Sequence, residues 1–481
     1  MSENLNTKVV AATKWSAVAE IASKLITPIS TMVLARLLSP EAFGVLVTAT
    51  MVISFAEIFT DAGFQKYIVQ HSFTDDDSLY KSTAVAFWSN LFLSFIIWGV
   101  ICVFSPLIAR LVGNEGYGLV IAVSCICIPI GAFSSIQMAL FKRKLDFKTL
   151  FLVRIVGIAI PIVITIPLAI LTHSYWSLII GMIALNICNA VLLTFKSDWK
   201  PRWFYDWNLF KEMFSFTMWS MIEAVTIWLT GYLDVFIVGS VLNAHYMGIY
   251  RTSMSTVGQI MTLVTSATTP VLFSALSRLQ DNDVEFKKLF FRFQKMVGML
   301  VIPMGVGIYL FRDLVTGILL GAQWGEASYM IGWWGLTSAI TIVLSHYCSE
   351  IYRSKGKPKY SVLAQVAHLC FLVPTVLISV RYGFNTLCVS RALIRFTLIG
   401  VNLVLLYVLT RITPWEMIKN IGFSCIASIV MALIYYLLPD NSSIIIQIGY
   451  VFLCTIAYFA VLCIRREERL VLMSLKKLLK R

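Results

Sequence analysis

Charge is scarce in this chain. Of its 481 residues only 13% are Asp, Glu, Lys or Arg, and 58% are apolar. Soluble domains carry about 25% charged residues, so a water-exposed globular fold is excluded. Motifs for chemistry are missing too. There is no Gly-rich phosphate loop and no HExxH, so no cofactor or metal is expected. Ten cysteines are present, but none forms a CxxC pair. Cys125 and Cys127 are two apart within an apolar run, and Cys102, Cys188, Cys425 and Cys454 also lie in such runs. Thiols buried there are inert, which argues against a disulfide framework. The five histidines are scattered; His346 and Glu350 share one face at a helix end. The run Asp75-Asp76-Asp77 reads as a solvated turn. No acid, base and nucleophile converge, so an enzyme is not expected. The polar start (Ser2, Glu3, Asn4, Asn6, Thr7, Lys8) argues against a cleavable signal peptide.

What is present is a series of apolar runs about 20 residues long, each able to cross a hydrocarbon core of roughly 30 Å. Lipid offers the backbone no hydrogen-bond partners, so such spans must be helices. Alternating ten-residue segments, the mark of a barrel, are absent. The chain therefore reads as an all-α membrane protein of about 14 transmembrane helices. The expected spans are 15–36, 42–62, 83–105, 118–140, 150–171, 176–195, 213–239, 247–273, 293–311, 329–351, 361–380, 385–409, 418–438 and 443–464. The stretch 277–292 reads as an amphipathic surface helix between two spans. The tail 465–481 mixes leucines with Lys476, Lys477, Lys480 and Arg481. It suits either a helix on an anionic leaflet or a plain solvated tail.

The net charge of +14 follows from topology and not from nucleic acid. With the N-terminus inside, cytoplasmic segments carry 30 of the 39 Lys and Arg residues. The opposite face holds only Arg36, Arg110, Arg312 and Arg381, and five cations fall within spans. Positive loops stay inside, so both termini are predicted cytoplasmic. The opposite-face loops are short; the longest, 312–328, is too small for a catalytic domain.

An internal repeat runs through these spans. Thr13, Trp15 and Ser16 match Thr217, Trp219 and Ser220 at an offset of 204. At the same offset, 38–45 (LSPEAFGV) lies over 242–249 (LNAHYMGI), and at 211, 141–144 lies over 352–355. This predicts two pseudo-symmetric six-helix lobes, 1–200 and 201–412. Two additional helices (413–464) and a basic tail (465–481) follow. Six spans per lobe place the symmetry axis along the membrane normal, with substrate between the lobes near the midplane.

Charges inside spans cost roughly 2.5–3.5 kcal/mol each at the centre, so they need a partner or water. Spans one, two, seven and eight hold most of them. Glu20 and Lys24 share a face, as do Glu57 and Asp61. Glu223 and Asp234 are three turns apart, with Thr226 and Thr230 between. The eighth span opens with Arg251 and is rich in hydroxyls: Thr252, Ser253, Ser255, Thr256, Thr262, Thr265 and Ser266. In the twelfth, Arg391 and Arg395 share a face on a helix with no acid; guanidinium pairs of this kind suit phosphate. Arg154 lies near the inner end of the fifth. One reading is a shared polar cavity. The other, strongest for Glu20 with Lys24, is that the charges pair only to hold helices together.

The run 35–44 (ARLLSPEAFG) resembles the signature of the polysaccharide transporter family of the multidrug/oligosaccharidyl-lipid/polysaccharide (MOP) exporter superfamily. Lys14-Trp15-Ser16, Asp61-Ala62-Gly63-Phe64, 141–147 (FKRKLDF) and Gly321-Ala322-Gln323-Trp324 add to the likeness. Within the family the chain resembles the Wzx-type, WzxC-like, flippases along its whole length. The resemblance implies a flippase of the bacterial inner membrane. Its cargo would be an undecaprenyl-pyrophosphate-linked oligosaccharide, moved to the periplasmic leaflet for exopolysaccharide, capsule or O-antigen synthesis. Implied partners are the lipid-linked oligosaccharide, membrane lipids, a polysaccharide polymerase and a chain-length regulator. The family's lumen is cationic. Lys24, Arg251, Arg391 and Arg395 suit substrate binding, and Glu57, Asp61, Glu223 or Asp234 suit ion coupling. Two alternatives remain. A lipid II flippase is the nearer. A multidrug exporter of the same superfamily would want an acidic cavity without five intramembrane cations.

Overall fold

A computed structural model describes residues 23, 24, 26–60, 64–144, 146–357, 359–439 and 443–465, without the side chains of 70, 215–220, 222 and 223. Among the described residues there is no β-strand. Thirteen helices are long and apolar enough to cross a membrane. A shorter apolar helix, Ile26–Leu37, occupies the later part of the first expected span. The other thirteen expected spans each coincide with one of the long helices. The chain is a multi-pass membrane protein.

Two compact units divide at 251/252, within the Ala244–Ser277 helix. In the first unit are Pro40–Thr60, Asp76–Leu111, Gly118–Arg143, Phe147–Thr172, Trp176–Lys196 and Trp207–Val241. Asp76–Leu111 shows why these are lipid-embedded. Its outer face carries Phe92, Phe95, Val103 and Phe104, all exposed, while Ser82, Thr83, Ser89, Asn90 and Ser94 are buried. Small and polar residues inside with apolar residues outside is the arrangement lipid selects. Asn90 Nδ2 donates to Ser135 Oγ at 2.8 Å, tying this helix to Gly118–Arg143. The helix starts at Asp75, whose carboxylate accepts from Ser78 N at 2.7 Å in a capping box. That bond to the backbone, ahead of the one to the Ser78 side chain, holds the Asp75 carboxyl below its ordinary range. The proposed repeat segments 38–45 and 242–249 pack on each other within this unit. A Cβ on Gly44 would overlap the Ala244 carbonyl oxygen, and one on Gly248 would overlap that of Pro40.

The second unit holds Asp283–Leu310, Ala327–Ser354, Lys359–Tyr382, Phe384–Thr410, Pro414–Leu437 and Ile444–Ile464. The stretch 277–292 is not a separate surface helix. From Asp283 onward it is the start of the Asp283–Leu310 span. Asn282 caps it by accepting from Glu285 N at 3.2 Å. No glycine or proline interrupts 283–297, and Phe286, Phe290 and Phe293 are buried along one side. The amphipathic pattern belongs to the first turns of a continuous spanning-length helix. The loop after Leu310 holds a two-turn helix, Arg312–Leu319, and a turn that buries Trp324. The last two helices pack on Asp283–Leu310, where the Tyr458 hydroxyl donates to Met299 O at 2.9 Å. A polar knot inside the unit links Tyr352, Asn402 and Ser345. Tyr352 OH donates to Asn402 Oδ1 at 3.0 Å, and Asn402 Nδ2 to Ser345 Oγ at 2.8 Å. The tail beyond Arg465 lies outside the described residues.

Candidate functional site

In the second unit, Arg391 and Arg395 converge on one indole. Four residues apart, they lie just over one helical turn from each other. Their guanidinium carbons lie 4.9 Å and 4.1 Å from the centre of the Trp334 ring. Arg395 Nη1 also donates to Ser338 Oγ at 2.6 Å, and Ser338 is one turn beyond Trp334 on Ala327–Ser354. Arg391 is buried and Arg395 half-buried. The ring's electron-rich π system attracts each guanidinium and so brings both cations to one side chain. Such a pair offers parallel N–H donors to phosphate oxygens.

In the first unit, Arg251 and Asp234 come to the same contact between Trp207–Val241 and the start of Ala244–Ser277. Arg251 stacks on Tyr232 at 4.9 Å and donates from Nη1 to Gly231 O at 3.3 Å. Asp234 is buried and accepts a 2.8 Å bond from the Tyr250 hydroxyl. Cation and carboxylate are thus held by neighbouring residues of one helix pair. Lys24 is half-buried, and Glu57 lies on an exposed face of Pro40–Thr60. Glu20, Asp61 and the Glu223 side chain lie outside the described residues. Among the described residues, no group of three or more His, Cys, Asp or Glu side chains is placed to hold a metal ion.

The hydroxyls that follow Arg251 are held in different ways. Thr252, Ser253 and Thr256 are buried. Thr262 and Thr265 donate to their own helix at Gly258 O (2.5 Å) and Met261 O (3.4 Å). Ser255 is exposed and accepts from Gln259 Nε2 at 3.3 Å. A hydroxyl in a lipid-embedded helix can satisfy itself on the carbonyl one turn back, as Thr262 and Thr265 do. His346 and Glu350 have different partners: His346 Nε2 lies 3.4 Å from Thr269 Oγ1, and Glu350 pairs with Arg353 at 3.3 Å. The residues that organise the charged sites, Trp334, Ser338, Tyr232 and Tyr250, carried no signal in the sequence. An aromatic residue in an apolar run looks the same whether it meets lipid or a guanidinium.

Comparison with known proteins gives the family of the chain. The chain is 21% identical over 454 residues to the succinoglycan biosynthesis transport protein ExoT of Rhizobium meliloti, covering 92% of this chain and 89% of that protein. It is 21% identical over 373 residues to the lipopolysaccharide biosynthesis protein WzxC of Escherichia coli, covering 76% and 72%. Among solved structures, the lipid II flippase MurJ in an inward closed conformation shares the fold, with a TM-score of 0.69 at 14% identity over 92% of this chain and 98% of that one. Residues 33–329, more than half of the sequence, match a family described as polysaccharide biosynthesis protein, and the chain belongs to that family.

Proposed function

We propose that this protein is a flippase that carries a polyprenyl-pyrophosphate-linked oligosaccharide from the cytoplasmic to the periplasmic leaflet of a bacterial inner membrane. The observation that carries the reading is the Arg391–Arg395 pair over Trp334. Two guanidiniums on one ring within a membrane helix have a use if a phosphate-bearing head group passes them. The names of ExoT, a succinoglycan biosynthesis transport protein, and WzxC, a lipopolysaccharide biosynthesis protein, support the same class of cargo. The excess of Lys and Arg in alternate loops supports cytoplasmic termini. The reading includes two six-helix lobes, 1–200 and 201–412, that alternately open a polar path to the two leaflets. Lys24, Arg251, Arg391 and Arg395 bind the head group, while the polyprenyl chain stays in an apolar environment. A membrane potential, inside negative, favours outward movement of an anion by about 2.3 kcal/mol per charge per 100 mV. Inward movement of a proton or sodium ion adds drive, with Asp234 and Glu57 as carriers, alongside Asp61 and Glu223. A polymerase and a chain-length regulator would take up the product.

The test is transport in vesicles. Arg391→Ala and Arg395→Ala, singly and together, are expected to slow flipping of the lipid-linked oligosaccharide at equal protein level. Undiminished transport by the double variant overturns their role. A deletion strain separates the two flippase readings. Loss of capsule or slime with normal division supports the present one, and lysis supports a peptidoglycan precursor.

A further inference from the structure

The first unit contains an apolar groove between Pro40–Thr60, Asp76–Leu111 and Trp207–Val241, with a volume of about 910 Å³. That is at the upper end of ordinary ligand pockets, about 300–1,000 Å³. Every residue lining it is apolar. On the Trp207–Val241 helix the lining recurs once every turn or two, from Phe214 through Met221, Trp228 and Leu233 to Phe236.

One cation is connected to this groove. Trp228 and Phe55 both line it, with ring centres 4.8 Å apart. Trp228 Nε1 donates to Ser54 Oγ at 3.0 Å, which fixes the indole. Behind Trp228 stacks Tyr232, at 5.6 Å and 21° between planes, and over Tyr232 lies the Arg251 guanidinium. A single ring therefore separates the groove wall from a positive charge. We infer that the groove and Arg251 together bind a polyprenyl phosphate, with the chain in the groove and the phosphate on the guanidinium.

Two features select this occupant over an ordinary membrane lipid. The first is charge complementarity. A cation one ring behind the wall of an uncharged groove favours an amphiphile with an anionic head, and a phosphate meets a guanidinium through paired hydrogen bonds. The second is length. From the level of Tyr232 down to Phe214 the groove follows the helix for about 27 Å at 1.5 Å per residue. A phospholipid acyl chain belongs to one leaflet, roughly half of a 30 Å core. A polyprenyl chain reaches beyond the midplane and can fill the whole track. The inference rests on the reading of this protein as a carrier of a polyprenyl-linked substrate, and it assigns the chain a defined place in the protein.

The experiment uses the full-length protein in proteoliposomes with two photoreactive probes. One is a polyprenyl phosphate with a diazirine on its chain, the other a phosphatidylethanolamine with a diazirine on an acyl chain. The expected result is labelling of the three groove helices by the polyprenyl probe, about tenfold stronger than by the phospholipid. That labelling should fall about tenfold in Arg251→Gln and in Val100→Trp, which fills the groove from an exposed lining position. Val100→Trp keeps the test valid if Arg251→Gln fails to accumulate. Equal labelling by both probes, or polyprenyl labelling indifferent to both substitutions, overturns the site. Because the readout is binding, it is separable from transport. Protein that takes up the polyprenyl probe here but flips no oligosaccharide overturns the transport reading alone. Protein that flips oligosaccharide but labels equally with both probes overturns the groove alone.

Discussion

Gly44 and Gly248, 204 residues apart in the chain, make the same contact in opposite directions. Gly44 sits against the carbonyl of Ala244, and Gly248 against the carbonyl of Pro40. Pro40 and Ala244 are themselves separated by the repeat offset, so the contact is reciprocal. Both obstructing atoms are backbone, which cannot swing aside. Gly44→Ala and Gly248→Ala are each expected to lower stability by roughly 1–3 kcal/mol through overpacking, read as the unfolding midpoint of purified protein in detergent. Gly99→Ala, where an added Cβ meets nothing within 4 Å, should leave the midpoint unchanged or raised.

The Asp234–Tyr250 bond predicts a graded pair of variants. Tyr250 is buried, with its hydroxyl 2.8 Å from the carboxylate. Tyr250→Phe removes one donor from a buried acceptor, a loss of about 1–3 kcal/mol. It should weaken, without abolishing, the dependence of transport on an imposed ion gradient. Asp234→Asn should abolish that dependence. Flux in vesicles with and without a proton or sodium gradient checks both, and an unaltered gradient response in Asp234→Asn removes this residue from coupling.

Trp334 is the platform for Arg391 and Arg395, so its aromaticity should matter more than its bulk. Cation–π contacts contribute about 0.5–2 kcal/mol each. Trp334→Leu is expected to weaken binding of a polyprenyl-pyrophosphate sugar by at least the worth of one such contact, about two- to thirtyfold. Trp334→Phe should recover most of the loss. Titration of purified protein with the lipid-linked sugar measures both, and equal affinities for the Leu and Phe variants would mean that the ring only fills space.

Outside the spans, Tyr117 gives a pH signature. Burial, followed by its 2.6 Å hydrogen bond to Glu41 Oε1, pushes the phenol up to about 12. The folded state therefore holds this proton more tightly than the unfolded chain, whose tyrosines ionise near 10. The resulting stability is fully present below pH of about 10 and is lost as pH rises through about 12. In a tyrosinate absorbance titration, Tyr117→Phe should remove one late-titrating group. Glu41→Gln should bring that group to lower pH.

Reading the sequence located the spans because lipid imposes one rule: each crossing segment must satisfy its own backbone, so it must be a long apolar helix. The stretch 277–292 was misassigned because an amphipathic face on a helix at the membrane boundary looks the same whether that helix lies flat or continues inward. Its continuation into Asp283–Leu310 depends on buried Phe286, Phe290 and Phe293. Charged positions such as Arg251 and Arg395 were legible for the same reason as the spans, since a charge in an apolar run stands out. Which hydroxyls after Arg251 bond their own helix was not legible, because a threonine that does so and one that does not are identical in sequence.

Sequence alone determined that this is a many-helix membrane protein, where its helices lie and which of their positions carry charge. Each of these follows from the cost of placing a given group in hydrocarbon. Only the tertiary structure decided that Arg391 and Arg395 meet on Trp334, that Arg251 lies one ring from an apolar groove, and that Gly44 and Gly248 interlock. Those relationships join helices distant in the chain, and packing between helices depends on shape, which neither hydropathy nor periodicity records.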